Sequence, residues 1–218
     1  KTKLKHILVI LCLSMISCEG NLEPELFDQI TPENFLTNED DVKTAVTGVY
    51  AEFRGISEWG RYKTSWGAVM TLQEVPTDLW AANWFYKAHT DFMWKATDYF
   101  VCEIFEFFVP AITKATALIA RIQDAPVSDD IKNRYNELRV VRALWMYDLF
   151  DLYGPVPAIT DPEKILNPTQ DFTVTRPSRE EYITFVETEL KEVINAKILP
   201  VAWTGSDYGH VSQATAMM

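Results

Sequence analysis

Cysteine is scarce in this sequence, with three residues among 218. Cys12 and Cys18 lie in the N-terminal segment, which leaves Cys102 alone in the apolar run FVCEIFEFF. A disulfide within the body of the protein and a multi-cysteine metal site are therefore excluded. We expect Cys102 to be a small, buried hydrophobic residue.

Histidine is equally scarce, with three residues in the chain. His6, His89 and His210 lack the close spacing of a metal-binding motif, so we predict no metal ion and no cofactor. No glycine-rich phosphate loop and no nucleophile elbow occurs either. The sequence thus offers no motif for metal, nucleotide or serine-nucleophile chemistry.

Positive charge and long apolar runs are also in short supply. The chain has 20 Lys and Arg against 31 Asp and Glu, a formal net charge of −11. Nucleic acid is disfavoured as a partner, because phosphate binding needs clustered cations. The longest apolar run, Ile7 to Ile16, is much shorter than the roughly 20 residues that a transmembrane helix needs.

Residues 1–17 have the features of a targeting segment. Lysines precede the apolar run, and the small residue Ser17 stands before Cys18, as at a signal cleavage point. The ending Met-Ile-Ser-Cys resembles a bacterial lipoprotein box, and this resemblance implies that Cys18 is acylated and anchors the protein to a membrane. An ordinary secretory signal and a hydrophobic N-terminus bound to the core are the alternatives.

Two further regions follow the signal. Residues 18–37 are a polar leader without periodicity that suits a tether. Residues 38–218 form the body, and the 48% hydrophobic and 13% aromatic content of the chain is ample for one core. No alternating strand pattern with hairpin turns occurs, so the predicted fold class is all-α.

Capping signals predict where several helices begin and end. Asn38 precedes three acidic residues, Ser128 precedes two, and Ser178 forms a capping box with Glu181. Gly154, followed by two prolines, ends the helix that Ser128 opens.

Other boundaries follow from proline and from hydrophobic periodicity. The run 98–125 is apolar on most sides and predicts one or two buried helices, kinked or broken near Pro110. Residues 158–177 predict an extended connection, and residues 211–218 predict the start of a further helix.

The segment 136–157, NELRVVRALWMYDLFDLYGPVP, carries two apolar strips when it is drawn as a helix. One strip contains Leu138, Val141, Trp145, Leu149 and Leu152. The other, roughly opposite, contains Ala143, Met146, Phe150 and Tyr153. A helix with two such strips packs between neighbours on both sides, as in stacked helix pairs.

The same segment keeps four charged side chains. Arg139 and Arg142 share one face, whereas Asp148 and Asp151 share another, so the two pairs cannot meet along the helix. We predict that each pair meets counter-charges or backbone donors from adjacent helices, because a buried charge without a partner is costly. This interpretation gives these residues a structural role rather than a catalytic one.

Residues 55–97 are irregular and hold five of the seven tryptophans. A sugar ring has apolar C–H faces and a hydroxyl rim, so its site needs flat aromatic side chains beside short hydrogen-bonding groups. The segment 78–94, DLWAANWFYKAHTDFMW, offers both. The candidate ligand-binding residues are Asp78, Trp80, Asn83, Trp84 and Trp94. The alternative is that these aromatic side chains only fill the core beneath the loop.

The segment ELRVVRALWMYDLFDLYGPVPAIT resembles the signature helix of the SusD/RagB family of nutrient-binding outer-membrane lipoproteins. Three other blocks resemble family segments in the same order: TPENFLTNEDDVKTAVTGVYAEF, LQEVPTDLW and SREEYITFVETELKEVINAKILP. Members of the family are more than twice as long. The resemblance therefore implies an N-terminal portion that stops within the next helix.

This resemblance implies an α-helical fold of tetratricopeptide-like helix pairs with long irregular loops. It also implies a glycan- or peptide-binding protein at the outer-membrane surface that caps a SusC-like TonB-dependent transporter and does not act as an enzyme. Asp78, Asn83 and Trp84 lie in a loop that contributes to ligand sites in the family. Two positions depart from the family pattern: His210 replaces an arginine, and Thr116 stands where an asparagine is common.

Two other functions remain open from the residues alone. A glycan-cleaving enzyme would need two carboxylates as acid and base, and Glu74 and Asp78 are the nearest candidates. Pro76 between them argues against a common helical face. A helix-repeat scaffold that binds only proteins is the other alternative, although the tryptophan-rich loop speaks against it.

Overall fold

The computed structural model describes residues 36, 38–54, 69–80, 86–123, 128–167 and 173–218, without the side chains of Arg54 and Met70. The predicted signal at 1–17, nearly all of the tether, and Cys18 lie outside the described residues. Asn83 and Trp84 also lie outside them. All statements below concern the described part of Leu36–Met218.

The described residues form helices and no strand, which confirms the predicted all-α class. The helices are α1 (Glu39–Arg54), α2 (Val69–Gln73), α3 (Lys87–Thr90), α4 (Tyr99–Ile122), α5 (Asp129–Tyr153), α6 (Pro162–Leu166), α7 (Arg179–Ala196) and α8 (Gln213–Met217), with a 3₁₀ turn at Gly205–Asp207. Within the described ranges, no helix combines the length and the apolar character needed to cross a bilayer.

The capping predictions are confirmed at both ends of helix α5 and at the start of α1 and α7. The backbone N–H of Asp41 donates to Asn38 Oδ1 at 3.0 Å. The N–H of Ile131 donates to Ser128 Oγ at 3.2 Å, and Ser178 forms the expected box with Glu181. Helix α5 ends at Gly154, whose φ of 72° is a left-handed conformation that glycine adopts without a steric penalty.

The structure decides between the alternatives left open at Pro110, and it corrects the prediction for residues 158–177. Helix α4 runs unbroken through Pro110. Pro110 and Glu106, the residue whose carbonyl loses its N–H partner, are both exposed, so water can satisfy that carbonyl. The prediction of an extended connection across 158–177 is wrong at helix α6, where Asp161 caps the first turn and Pro162 begins it.

Helices α4, α5 and α7 form an antiparallel layer with α5 in the middle. Tyr153, at the end of α5, donates to the carbonyl of Val101 near the start of α4 at 2.6 Å. On the other side, Tyr182 Oη donates to the carbonyl of Met146 at 2.9 Å. Helix α5 is therefore packed between two neighbours, as stacked helix pairs require.

Both apolar strips of α5 face the interior. The buried members of the first strip are Leu138, Val141, Trp145 and Leu149, and those of the second are Ala143 and Met146. Leu152, Phe150 and Tyr153 are half-buried near the end of the helix. The prediction from the helical wheel is confirmed. Cys102, in contrast, is half-buried rather than buried, with its Sγ 3.2 Å from the carbonyl of Ala96.

The arginines of α5 meet partners from α7, as predicted. Arg139 donates to Glu189 Oε1 at 2.8 Å, and Arg142 pairs with the other oxygen of the same carboxylate. Burial opposes ionisation of Glu189, but the two guanidinium groups outweigh it and hold the glutamate pKa below its ordinary value. Arg142 also donates to Thr116 Oγ1 at 3.0 Å. Thr116, which stands where an asparagine is common in the family, is thus a buried hydrogen-bond acceptor for this arginine.

A second buried network ties the 205–211 segment to helices α1 and α5. Arg134 Nη1 donates to Glu137 Oε1 at 2.8 Å, and both side chains are almost fully buried. Tyr50 Oη donates to Glu137 Oε2 at 2.9 Å and accepts from the N–H of Val211 at 2.9 Å. His210 Nδ1 lies 2.8 Å from the same Glu137 oxygen. His210 therefore belongs to a structural network.

Candidate functional site

A cleft of about 460 Å³ opens where the end of α5 meets the short helix α2. Its polar wall is formed by Gln73, Glu74 and Asp151. Its apolar wall is formed by Leu72, Trp94, Val101, Leu152 and Tyr153. A volume of this size and a mixed lining are typical of sites for small ligands.

Helix ends position the side chains of this cleft. Gln73 and Glu74 lie at the end of α2, and Asp151 lies in the last turn of α5, which Gly154 terminates. The side-chain amide Nε2 of Gln73 donates to Asp151 Oδ2 at 3.0 Å and links the two helices. Asp151 thus has a partner from another helix, but the predicted kind of partner, a counter-charge or a backbone donor, is wrong for it: the partner is a neutral side-chain amide.

The imidazole of His89 stacks against the indole of Trp94. The two rings are nearly parallel, at 11°, with centroids 6.0 Å apart. His89 is buried and also meets Phe100 edge-on, with centroids 5.6 Å apart. Neither ring nitrogen of His89 has a hydrogen-bond partner among the described residues. Burial lowers the pKa of His89, and nearby Asp98 opposes that effect, so the imidazole is favoured in its neutral form.

The indole of Trp94 remains accessible on the side of the cleft. It is 39% exposed, so one part of the ring packs on His89 while another part meets solvent. Phe92 flanks it, with centroids 5.6 Å apart, and has the positive φ of 56°, which is rare for a bulky residue. A supported yet accessible indole is suited to stacking against a ligand.

The carboxylates give the cleft a negative character. Glu74 and Asp151 are both exposed at its wall. Asp148 lies one turn before Asp151 and is half-buried. Burial raises the pKa of Asp148 to about 6, and the charge of Asp151 adds to the effect. None of the described residues that line the cleft is a lysine, an arginine or a histidine.

Of the predicted site residues that the structure describes, one lines the cleft and two do not. Trp94 lines the cleft. Asp78 and Trp80 are exposed in the turn after α2 and do not line it. Their roles as ligand contacts stay predictions, as do those of Asn83 and Trp84 outside the described residues. Asp78 and Glu74, the candidate acid and base, are not brought together on this wall.

Sequence reasoning missed Gln73 and gave Asp151 a purely structural role. No local pattern singles out Gln73, and its approach to the end of α5 depends on tertiary packing. The one available signal was the position of Asp151 in the last helical turn, where the macrodipole is unfavourable to anions. Among the described residues, no group of three or more His, Cys, Asp or Glu side chains is placed to hold a metal ion.

A smaller cavity of about 220 Å³ lies between α7 and the connection that follows α5. It is lined mainly by apolar residues, including Met146, Val156 and Tyr182, and its one carboxylate, Glu181, is engaged in the helix cap. This cavity offers no free charged group to a ligand. The cleft at Trp94 is therefore the better candidate site.

No protein-family model and no curated protein sequence matches this chain. Several solved structures do. Surface glycan-binding protein A from Bacteroides uniformis superposes with a TM-score of 0.66 at 17% identity, over 82% of this chain and 40% of that one. A SusD-like protein from Bacteroides fragilis gives a TM-score of 0.63 at 20% identity, over 87% of this chain and 35% of that one.

A SusD superfamily protein from Parabacteroides distasonis gives a TM-score of 0.64 at 16% identity, over 86% of this chain and 38% of that one. The chain has the SusD-like fold. It spans well under half the length of the proteins it matches. The predicted resemblance and the tetratricopeptide-like arrangement of helix pairs are thus confirmed at the level of fold.

Within this SusD-like fold, the two unusual residues do not reach the cleft. Thr116 Oγ1 donates to the carbonyl of Ile112 and accepts from Arg142 inside the helical layer. His210 contacts Glu137 at the opposite end of α5 from Asp151. These substitutions affect the scaffold rather than the candidate site.

Proposed function

We propose that this protein captures glycans at its Trp94 cleft. The observation that carries the proposal is the indole of Trp94, which is supported by His89 and 39% exposed beside the polar wall of Gln73, Glu74 and Asp151. The C–H face of a sugar ring would stack on the indole while its hydroxyls meet the amide and carboxylate oxygens. The names of the matched surface glycan-binding protein and SusD-like protein support this class of ligand.

We further propose that the protein is anchored through Cys18 in the outer membrane, exposed at the cell surface, and acts with a SusC-like TonB-dependent transporter in nutrient uptake. The lipoprotein-like sequence before Cys18 and the SusD-like fold support this role. The protein would bind and release its ligand without cleaving it. Mass spectrometry of the membrane-extracted protein tests the anchor, because acylation adds the mass of the lipid to the N-terminal peptide.

A glycan array with wild-type and Trp94→Ala protein tests the binding role. We expect saturable binding of at least one oligosaccharide, no release of shorter sugars, and a loss of about tenfold or more in Trp94→Ala, since stacking of a ring is worth roughly 1 to 3 kcal/mol. Trp84→Ala and Trp80→Ala test the other predicted contacts. Binding that is unchanged in Trp94→Ala would contradict the assignment of this cleft.

A protein-binding scaffold is the second candidate, favoured by exposed apolar side chains in the turns that follow α2 and α3. Leu79, Phe92 and Met93 are 83%, 67% and 71% exposed. Exposed apolar side chains that lie close together often mark a protein interface. Absence of binding to all glycans, together with retention of a protein partner that is lost in Phe92→Ser, would favour this function.

A further inference from the structure

Among the residues that the structure describes, no lysine, arginine or histidine pairs with the two carboxylates of the Trp94 cleft. The backbone carbonyl of Glu74 accepts from Thr77, whereas its side-chain carboxylate has no hydrogen bond or ion pair with any described residue. Asp151 accepts one hydrogen bond, from the neutral amide of Gln73 at 3.0 Å. Elsewhere in the protein, the buried carboxylate of Glu137 and the half-buried one of Glu189 are paired with arginines. Both acids of the cleft are therefore available to a ligand.

Neither Arg176 nor Lys87, two cations of the described part of the chain, pairs with Glu74 or Asp151. Asp148 adds a third acidic group one turn before Asp151. Arg176 contacts the lining residue Tyr153, but its guanidinium donates to the backbone carbonyls of Pro155 at 2.6 Å and Tyr153 at 3.4 Å. Lys87 is paired with Asp91 at 2.6 Å. Acidic groups thus outnumber unengaged basic ones among the described side chains named here, and this excess favours a ligand with positive charge.

We propose that the cleft selects glycans that carry a protonated amino group and rejects glycans with uronic acid or sulfate groups. This inference rests on the proposed glycan-binding function and specifies its ligand. An ammonium group has three N–H donors, which can be shared between Glu74 and Asp151 while the sugar ring lies on Trp94. An anionic sugar in the same place meets two uncompensated like charges.

Calorimetric titration with three ligands of equal length tests this selection. The ligands are a glucosamine trisaccharide, its fully N-acetylated counterpart, and a galacturonic acid trisaccharide, all at slightly acid pH, where the amine is protonated. We expect the amino sugar to bind about tenfold more tightly than the acetylated one, since each partly exposed ion pair contributes a few-fold. The uronic acid ligand should show no measurable binding. The preference should shrink in 0.5 M salt, because screening weakens exposed charge pairs.

Matched variants locate the effect. Glu74→Gln and Asp151→Asn should each reduce the preference for the amino sugar about threefold. Both retain the size of the side chain, and the amide oxygen at 151 can still accept from Gln73. Asp129→Asn is the control, since it makes the same charge change in the first turn of the same helix, roughly 33 Å away along its axis. It should leave the preference unaltered.

The result can overturn this inference without overturning the proposed function. Equal affinity for the amino sugar and the acetylated sugar, with binding that still depends on Trp94, would contradict the charge selection and leave glycan capture intact. A preference that persists in the Glu74→Gln/Asp151→Asn protein would also contradict it. If binding of every sugar survives Trp94→Ala, or if wild-type protein binds no sugar, the proposed function of the cleft fails as well.

Discussion

The imidazole of His89 lies parallel to the indole of Trp94, with ring centroids 6.0 Å apart and an angle of 11° between the planes. His89 is buried, and both of its nitrogens lack hydrogen-bond partners among the described residues. An unsatisfied buried polar group costs stability. The histidine therefore contributes its flat ring, which supports the indole at the wall of the cleft.

The first prediction concerns this support. His89→Phe keeps a ring behind Trp94 and removes two unsatisfied nitrogens, so the free energy of unfolding should be unchanged or about 1 kcal/mol higher. His89→Ala leaves a cavity and should cost about 2 kcal/mol. Glycan affinity should fall several-fold in the alanine variant only. Denaturant unfolding and sugar titration measure the two effects, and wild-type affinity in His89→Ala would show that the indole needs no support.

The second prediction concerns the buried ion pair of Arg134 and Glu137. Arg134→Met leaves the glutamate buried without its guanidinium and should cost about 3 to 5 kcal/mol of unfolding free energy. The double variant Arg134→Met/Glu137→Leu should recover a large part of that loss, because the buried carboxylate is removed together with its guanidinium. Urea denaturation measures both. Lys87→Met is the control: it breaks the exposed pair with Asp91 and should cost less than about 1 kcal/mol.

The third prediction compares Glu189 with Glu187 in helix α7. Glu189→Gln weakens the contacts of Arg139 and Arg142 and should cost about 2 to 4 kcal/mol. Glu187→Gln affects only an exposed pair with Lys191 and should change stability by less than about 1 kcal/mol. Chemical denaturation at neutral pH measures both, and equal costs would show that burial of the Glu189 cluster does not matter.

The pKa of Glu189 adds a pH dependence to this comparison. Because its pKa is lowered from 4.5 in the folded protein, its ionised form stabilises the fold at pH above 4.5. That contribution is lost as the pH falls through the lowered pKa. The difference between wild-type protein and Glu189→Gln should therefore narrow on acidification below pH 4.5, whereas a constant difference would contradict the assignment.

The fourth prediction concerns Asp148. Its pKa rises from 3.8 to about 6 on folding, so the folded state binds the proton more tightly than the unfolded state does. The ionised carboxylate thus destabilises the fold, and this effect grows as the pH rises from 3.8 to about 6. Asp148→Asn should raise stability by about 1 to 2 kcal/mol at pH above 6, allowing for partial exposure, and change little at pH below 3.8.

Thermal melts across this pH range check the fourth prediction. Asp129→Asn serves as the control, because it removes an exposed carboxylate from the first turn of the same helix. A gain in Asp148→Asn that is the same at acid and neutral pH would mean that packing, rather than ionisation, explains it.

Much of the helical framework could be predicted because its signals are local. Ser128 and Ser178 mark helix starts through hydrogen bonds to residues three positions ahead, and Gly154 marks an end through its own backbone conformation. The two strips of α5 follow from helical periodicity. Pro110 was harder to interpret, since its effect depends on whether water reaches the carbonyl of Glu106.

The candidate site could be predicted only in part. Trp94 was found because an aromatic side chain among polar neighbours is visible in the sequence. Its pairing with His89, five positions earlier, depends on the short helix α3 and was not apparent. Gln73 and Asp151 are 78 positions apart and meet only through tertiary packing, for which one sequence carries no direct signal.

The hydroxyl of Tyr50 joins positions that are synthesised far apart in time. It donates to Glu137 and accepts from the backbone of Val211, 161 positions later. Helix α1 leaves the ribosome early, yet the hydrogen bond between Tyr50 and Val211 can form only after residue 211 has emerged. A nascent chain that is shorter than this lacks one of the hydrogen bonds that hold α1, the first described helix of the body.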